Sequence, residues 1–338
     1  IIAGDESLSS RPMKRIADPL SDMGAEVITT DGHLPLTIHG RKLLPYEYRL
    51  PVASAQVKSS LLLAGVAAGC SVIVREDVVT RDHTELMLRE LGCAIESRTV
   101  KPERISDPRD PRKTKLVMPE KFKKEISLPT KAIVGGGTLD IPGDFSTAAF
   151  FFALAALSKK SITVENVGIN HTRAAFLDHL KYIGCEVDIA DRIVVSGEPR
   201  ASVTVTGGAL KGRKVSGGTT TAMIDEIPLV AVLAAVSGGT TVIRDADELR
   251  VKESDRLAAV AHNLTQMGIS CGLLDDGLAI EGKKELNGGD FSVFGDHRIA
   301  MAFSVAALVA VGPSTIDDDS VVDVSCPGFY ELLQHVCQ

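Results

Sequence analysis

The sequence predicts an α/β (α+β) protein of two domains, in which one unit of helices and strands is repeated. Three observations carry this prediction. Apolar residues make up 44% of the 338 residues, which is enough to build substantial cores. The same order of an apolar helix, a strand, an amphipathic helix and further strands recurs along the chain. A segment rich in glycine and proline near the middle separates two groups of repeats.

The repeated unit is clearest in stretches that begin near residues 53, 144 and 225. Each opens with a helix that is apolar on nearly all sides, such as AFFFALAAL, and we expect these helices to be buried. A short β-branched strand follows. The next helix is amphipathic and ends near a glycine suited to a left-handed C-cap, at Gly24, Gly92, Gly184 and Gly268. The unit therefore has the circular order β-α-β-α-β-β.

The domain boundary is expected within residues 135–144, where glycines and a proline form a plausible hinge. We assign residues 1–139 to an N-terminal lobe and residues 140–338 to a C-terminal lobe. The chain opens on an amphipathic helix with no apolar helix before it, and it ends without the closing strands. We therefore expect the N-terminal lobe to be incomplete, with a preceding segment missing.

Charge and composition exclude several classes of protein. The net charge of −7 argues against a general binder of nucleic acid or membrane surfaces. The basic cluster at residues 101–125 is more typical of a solvated loop than of a nucleic-acid arm. Apolar runs are too short to span a bilayer, and no dinucleotide, P-loop or nucleophile-elbow motif occurs. The cysteines form no C-x-x-C pair and are expected to be reduced, packed thiols of a cytosol-like compartment: Cys70, Cys93, Cys185, Cys271, Cys326 and Cys337.

The apolar helices are predicted to begin with polar residues, at Ser54, Asp144, Asp225 and Asp296. A helix N-terminus presents free backbone N–H groups and a partial positive charge. If the repeats are arranged about a pseudo-symmetry axis, these ends converge. Convergence would create an anion site even in an acidic protein.

The segment LRVKESDR carries the sharpest candidate chemistry. Lys252 and Arg256 are four residues apart, so a helix would place them on one face, with Glu253 on the adjacent flank. A carboxylate beside two cations suits a reaction that holds a doubly anionic substrate and moves a proton. The same spacing is also typical of an exposed helix with intrahelical ion pairs.

The segment GDHRIAM places three polar groups directly before an apolar helix. Asp296 can cap the helix, His297 can titrate, and Arg298 can grip a carboxylate or phosphate with two N–H groups. A capping aspartate beside an exposed histidine explains the same pattern without a site.

Further candidates lie at other predicted helix starts, and each has an ordinary structural explanation. Ser54 could be nothing more than a helix cap, and the same holds for Asp225. Arg11 could be an ordinary surface residue. We disfavour a metal site at residues 82–85, since that spacing does not converge on one ion.

Taken in order, RPM, PVASAQVKSS, TRDHTE, PGDFSTAAF, MIDEIP, LRVKESDR and GDHRIAM resemble the 5-enolpyruvylshikimate-3-phosphate (EPSP) synthase family over essentially the whole chain. RPM, ASAQ and TRDHTE look like its bacterial class II branch, which is associated with glyphosate tolerance. The resemblance implies an enolpyruvyl transferase-like fold, a two-domain inside-out α/β barrel. It also implies transfer of the enolpyruvyl group of phosphoenolpyruvate to the 5-hydroxyl of shikimate 3-phosphate, in a cytoplasmic monomer with no metal or organic cofactor.

The resemblance also assigns roles to residues. It places shikimate 3-phosphate on Ser54, Ala55, Gln56 and Arg81, and phosphoenolpyruvate on Arg11, Arg256, His297 and Arg298. It makes Asp225, Lys252 and Glu253 catalytic, with Glu253 the proton donor to the methylene carbon. The family's first substrate-binding segment would precede Ile1, so the chain as given is expected to have little or no activity.

Two other functions remain open from the sequence. UDP-N-acetylglucosamine enolpyruvyl transferase shares the fold and the donor, but it would lack LRVKESDR. A non-catalytic scaffold of the same fold would have no use for buried like-charged groups such as Arg256 and Arg298.

Overall fold

The computed structural model describes residues 1–107 and 110–338 and divides the chain into two compact units, Ile1–Asp140 and Ile141–Gln338. We call them the N-terminal and C-terminal units, and each has its own hydrophobic core. The boundary predicted between residues 139 and 140 lies one residue before this division. Within the basic cluster at residues 101–125, Arg109 and the side chains of Arg104, Arg112 and Lys115 lie outside the described part of the chain.

The N-terminal unit combines short helices with small sheets. Its helices are α1 (Glu6–Ser9), α2 (Lys14–Asp22), α3 (Ala55–Ala68) and α4 (His83–Glu90). Its strands are β1 (Glu26–Thr30), β2 (His33–His39), β3 (Tyr46–Arg49), β4 (Val72–Glu76), β5 (Glu96–Thr99), β6 (Glu103–Asp107), β7 (Asp110–Val117) and β8 (Lys124–Leu128). The main sheet has the order β3-β4-β8-β5, while β1 pairs with β2 and β6 pairs with β7.

The C-terminal unit is larger. Its helices are α5 (Phe145–Ser158), α6 (Ala175–Ile183), α7 (Gly218–Ala222), α8 (Ile227–Ala235), α9 (Arg256–Gln266), α10 (His297–Ala307) and α11 (Phe329–Cys337). Its strands are β9 (Ser161–Gly168), β10 (Glu186–Val195), β11 (Glu198–Thr206), β12 (Lys214–Val215), β13 (Thr240–Ile243), β14 (Ser270–Leu274), β15 (Gly277–Glu281), β16 (Asp290–Phe291) and β17 (Thr315–Ile316). The sheets have the orders β10-β11-β9, β12-β13-β15-β14 and β16-β17. Short 3-10 helices occupy Ile224–Glu226, Asp247–Val251 and Ser320–Val324.

Parallel strands flank the apolar helices, as a strand-helix-strand crossover requires. The pair β3 and β4 flanks α3, the pair β12 and β13 flanks α8, and the pair β16 and β17 flanks α10. An isolated parallel bridge between Gly143 and Val167 does the same for α5. An amphipathic helix and an antiparallel pair complete the unit at β10 and β11 and again at β14 and β15. The predicted repeat is therefore confirmed.

The glycines expected after the amphipathic helices adopt the left-handed conformation. Gly24, Gly92, Gly184 and Gly268 have φ angles of 108°, 82°, 118° and 76°. This region favours glycine because a Cβ atom would clash with the backbone. The predicted C-caps are confirmed.

The apolar helices differ in how deeply they are buried. In the C-terminal unit, α5, α8 and α10 pack against one another, and every residue of α8 is buried. In the N-terminal unit, α3 buries only one face, and Leu63 is 45% exposed. The expectation that α3 is a buried helix is therefore correct for one face only. Among the described residues of its unit, no second helix of this apolar kind packs against it.

The six cysteines are free, and burial raises the pKa of Cys271 to about 11. Cys70, Cys93, Cys185 and Cys326 are buried, as expected for packed thiols. Cys337 is exposed, because it ends the amphipathic helix α11 away from the core, and the expectation that every thiol is packed was wrong there. Within residues 1–107 and 110–338, no helix combines the length and the apolar character needed to cross a membrane.

Candidate active site

Arg256 is a deeply buried cation at the start of α9, with 1% of its surface exposed. A positive charge at a helix N-terminus opposes the helix dipole, so neighbouring carboxylates must hold it. Its Nε lies 2.7 Å from Oδ2 of Asp296, and its Nη2 lies 3.3 Å from Oδ1 of the same residue. Because Asp296 caps α10, this two-point contact fixes the guanidinium relative to the start of a second helix.

Two further carboxylates meet the same guanidinium. Oε2 of Glu253 lies 2.5 Å from Nη2 of Arg256, and Oδ1 of Asp225 lies 3.7 Å from Nη1. The Asp296 side chain is fully buried, whereas those of Glu253 and Asp225 remain 23% and 12% exposed. The arrangement therefore presents two partly accessible carboxylates around one buried cation, which suits binding an anion and moving a proton nearby.

Arg298 extends this cluster from the first turn of α10. Its backbone N donates to Oδ1 of Asp296 at 2.9 Å. Its Nη1 donates to Oγ of Ser146 at 3.1 Å and to the backbone oxygen of Asp225 at 3.4 Å. Ser146 lies in the first turn of α5, and Asp225 lies just before α8. The predicted convergence of helix starts is therefore confirmed for the three apolar helices of the C-terminal unit.

One local expectation about these residues was wrong, and one alternative explanation is excluded. Lys252 does not share a helical face with Arg256, because Asp255 caps α9 and the preceding turn, Asp247–Val251, is a 3-10 helix. Lys252 Nζ instead lies 3.0 Å from Oε1 of Glu248. Asp225 does not cap α8 either: it lies within the 3-10 helix, and its carboxylate turns to Arg256.

His297 is half-buried beside these charged groups. Burial lowers its pKa, and the neighbouring charge of Arg298 lowers it further, while Asp296 acts in the opposite direction. A neutral imidazole is therefore favoured at pH 7, since the ordinary histidine pKa is already about 6.5. The positive charge of the cluster comes from the guanidinium groups.

In the N-terminal unit, the predicted binding residues also lie at helix starts. Ser54 caps α3 by accepting a hydrogen bond from Val57 N at 3.4 Å, and Ala55 and Gln56 form its first turn. Arg81 lies directly before Asp82, the residue that precedes α4. Arg11 lies before α2, and its backbone oxygen lies 3.1 Å from Nδ1 of His33.

A buried ion cluster supports this part of the N-terminal unit. Lys58 of α3 has no exposed surface, and its Nζ lies 3.1 Å from Oε1 of Glu76 and 2.8 Å from Oε1 of Glu85. Glu76 also accepts a hydrogen bond from Thr80 N at 3.3 Å. The cluster therefore ties α3 to the segment that carries Arg81. Glu85 faces lysines, and the described residues contain no group of side chains suited to a metal ion.

A second ion pair, between Arg173 and Glu226 in the C-terminal unit, was not predicted from the sequence. Nη1 and Nη2 of Arg173 lie 2.6 Å and 2.7 Å from the two carboxylate oxygens of Glu226. Ser146 Oγ donates to Glu226 Oε1 at 3.0 Å, and Arg173 Nη2 also donates to Ser146. One signal was available: Arg173 occupies the place in its repeat that Arg81 occupies in TRDHTE.

Comparison with known proteins matches this architecture to one family. The family model for EPSP synthase (3-phosphoshikimate 1-carboxyvinyltransferase) matches residues 1–333. A 3-phosphoshikimate 1-carboxyvinyltransferase of Anaeromyxobacter sp. (strain K) is 44% identical, over 99% of this chain and 72% of the relative. One of Synechococcus elongatus is 40% identical, over 99% and 70% of the two chains.

A solved structure gives the same result for the fold. The EPSP synthase of Acinetobacter baumannii aligns with a TM-score of 0.78 and 38% identity, covering 98% of this chain and 72% of that one. At this identity the likeness extends beyond the fold to the sequence itself. The chain belongs to the EPSP synthase family.

Proposed function

We propose that Arg256 and Arg298 bind phosphoenolpyruvate in the reaction of this family. The reaction transfers the enolpyruvyl group of phosphoenolpyruvate to the 5-hydroxyl of shikimate 3-phosphate and releases phosphate. The observation that carries the proposal is the buried guanidinium of Arg256, held by Asp296 while it contacts two partly accessible carboxylates. Charges in such a surrounding interact more strongly than they do in water.

The acidic residues supply the proton chemistry in this proposal. Asp225 lies beside the attacking 5-hydroxyl and orients it, while Glu253 gives a proton to C3 of phosphoenolpyruvate. Asp225 accepts the hydroxyl proton as the hydroxyl oxygen bonds to C2, which gives a tetrahedral intermediate, and that proton later leaves with the departing phosphate. Loss of phosphate and of one C3 proton, which returns to Glu253, restores the double bond. Lys252 assists from its place beside Glu248, as a cation near Glu253 in sequence.

The N-terminal unit contributes the remaining substrate contacts. Ser54 and Ala55 offer the start of α3 to the phosphate of shikimate 3-phosphate, since a helix N-terminus binds anions. Gln56 is exposed and packs on the ring, and Arg81 pairs with the anion. Arg11 and His297 contact phosphoenolpyruvate, the latter as a neutral hydrogen-bonding group.

The wider biological setting follows the family. We propose a cytoplasmic monomer of the shikimate pathway that needs no metal, organic cofactor or nucleic acid. The sugar-nucleotide transferase is not favoured, because the family match and the relatives' names are those of EPSP synthase. Calorimetry separates the alternatives: a sugar-nucleotide enzyme or a scaffold would give no heat with shikimate 3-phosphate.

The proton donor is tested by Glu253→Gln, which keeps the size of the side chain but cannot donate the proton. We expect turnover with saturating substrates in the whole protein to fall by about 100- to 10,000-fold. The matched control is Glu186→Gln, an exposed glutamate on β10 of the same unit, which should leave turnover unchanged. Wild-type turnover in Glu253→Gln would remove Glu253 from the mechanism.

A further inference from the structure

We propose that Arg173 and Glu226 are positioning residues that set the affinity of Arg298 for phosphoenolpyruvate. The proposal rests on the function of Arg298 given above and deepens it. Arg173 neutralises Glu226, and this leaves the charge of Arg298 available to an anion. Arg173 and Glu226 are buried, Arg298 is partly buried, and Ser146 hydrogen-bonds to all three.

The chain around Arg173 is built to hold that side chain in place. Asn170 is buried, and its Oδ1 accepts a hydrogen bond from Thr172 N at 2.9 Å. The backbone oxygen of Asn170 accepts from Arg173 N at 2.8 Å and from Ala174 N at 2.9 Å. These bonds form a tight turn directly before α6. The guanidinium also lies 5.5 Å from the ring centroid of Phe145, which opens α5.

Glu226 is the group that needs this partner. It is buried, and both of its carboxylate oxygens contact the guanidinium of Arg173. An isolated buried carboxylate is strongly unfavourable, whereas a two-point contact with an arginine compensates its charge. Arg173 is therefore the main partner of Glu226 in this structure.

Arg298 lies next to this pair but is not the main partner of Glu226. Its Nη1 is 3.9 Å from Oε1 of Glu226 and donates instead to Ser146 Oγ at 3.1 Å. Ser146 in turn donates to Glu226, so the serine relays the position of the pair to Arg298. Without Arg173, Glu226 would attract Arg298 at this short distance. The guanidinium would then neutralise a protein carboxylate rather than a substrate.

The same contacts reach the catalytic turn. Arg298 Nη1 donates to the backbone oxygen of Asp225 at 3.4 Å, and Glu226 is the next residue of that 3-10 helix. The Arg173–Glu226 pair therefore holds the 3-10 helix that contains Asp225 in place, as well as Arg298. Its principal expected effect is still on phosphoenolpyruvate, because Arg298 changes partner while Asp225 keeps its contact with Arg256.

The test compares Arg173→Met with the double variant Arg173→Met/Glu226→Gln in the whole protein. We expect Arg173→Met to raise the KM for phosphoenolpyruvate about 10-fold or more, the size of one lost charge-assisted contact, and to leave the KM for shikimate 3-phosphate nearly unchanged. The double variant should recover most of the affinity, because no uncompensated carboxylate remains. A role in folding alone would not produce this recovery.

The matched control is Arg200→Met, which removes another buried arginine of the same unit, one that donates to Asn166 Oδ1. It should alter thermal stability without a selective change in the KM for phosphoenolpyruvate. If Arg173→Met does not fold, Arg173→Lys replaces it, since lysine keeps the charge but loses the two-point contact. An unchanged KM, or a double variant as impaired as the single one, overturns the proposal. Absence of any wild-type turnover would instead refute the proposed function.

Discussion

The two units of the molecule use buried charge for different ends. In the N-terminal unit, Lys58 is enclosed by Glu76 and Glu85, and none of these three residues is a proposed substrate contact. In the C-terminal unit, buried Arg256 is bound by Asp296 and belongs to the proposed site itself. The Lys58 cluster holds structural elements in place, whereas the Arg256 cluster forms part of the proposed site.

The choice of cation follows from this difference. A lysine ammonium is a compact point charge that can be surrounded by carboxylates within a core. A guanidinium has donors along two edges, so Arg256 can be held by Asp296 while it also contacts Glu253 and Asp225. Between these two clusters, the geometry of the cation, more than its burial, separates the supporting Lys58 from Arg256 in the proposed site.

The largest expected effect is that of Arg256→Met. This substitution removes both the buried ion pair with Asp296 and a residue of the proposed site. Asp296 would remain as a buried carboxylate without its main partner, and we expect the unit to lose about 3–5 kcal/mol of stability. Turnover should fall by at least about 100- to 1,000-fold, the typical loss of one charge-stabilising group. Steady-state kinetics and urea unfolding measure the two losses. A variant that lost stability but kept turnover would show that Arg256, like Lys58, only stabilises its unit. The two clusters would then have the same role.

Lys58→Met should produce the complementary result in the N-terminal unit. Two buried carboxylates would lose a partner, so we expect a stability loss of about 3–5 kcal/mol, seen as faster amide hydrogen exchange in β4 and β8. The KM for phosphoenolpyruvate should stay near the wild-type value. Lys42→Met, at an exposed position of the same unit, is the control and should change neither quantity. A selective rise in this KM would contradict the division of roles between the units.

The sequence predicted most of the fold because its signals are local. Apolar helices, β-branched strands and terminal glycines each occupy a few neighbouring residues, and together they give the repeat correctly. The burial of α3 was misjudged, because an apolar helix shows what it can bury and not what packs against it. Lys252 was misplaced since the cap at Asp255 ends the helical pattern that a four-residue spacing assumes.

The candidate site was predicted only where its partners are close in sequence. Glu253 and Arg256 are three residues apart, and a motif brings them together. Arg173 and Glu226 are 53 residues apart, and Ser146 and Arg298 are 152 apart, so no periodicity relates them. Such contacts arise from the convergence of helix starts, which the sequence suggested in general but could not assign pair by pair.

The smallest expected effect, on the titration of His297, tests whether the charge of Arg298 acts on the neighbouring imidazole. Burial and Arg298 lower the pKa of His297, so its NMR midpoint should lie below 6.5. Below pH 6.5 the unfolded chain binds this proton more readily than the folded one, so His297 reduces stability as pH falls through that range. Arg298→Met should raise the midpoint, because one repelling charge is gone, whereas Arg192→Met on exposed β10 should leave it unchanged. A midpoint that does not respond to Arg298→Met would mean that the charge of Arg298 does not contribute to the pKa of His297.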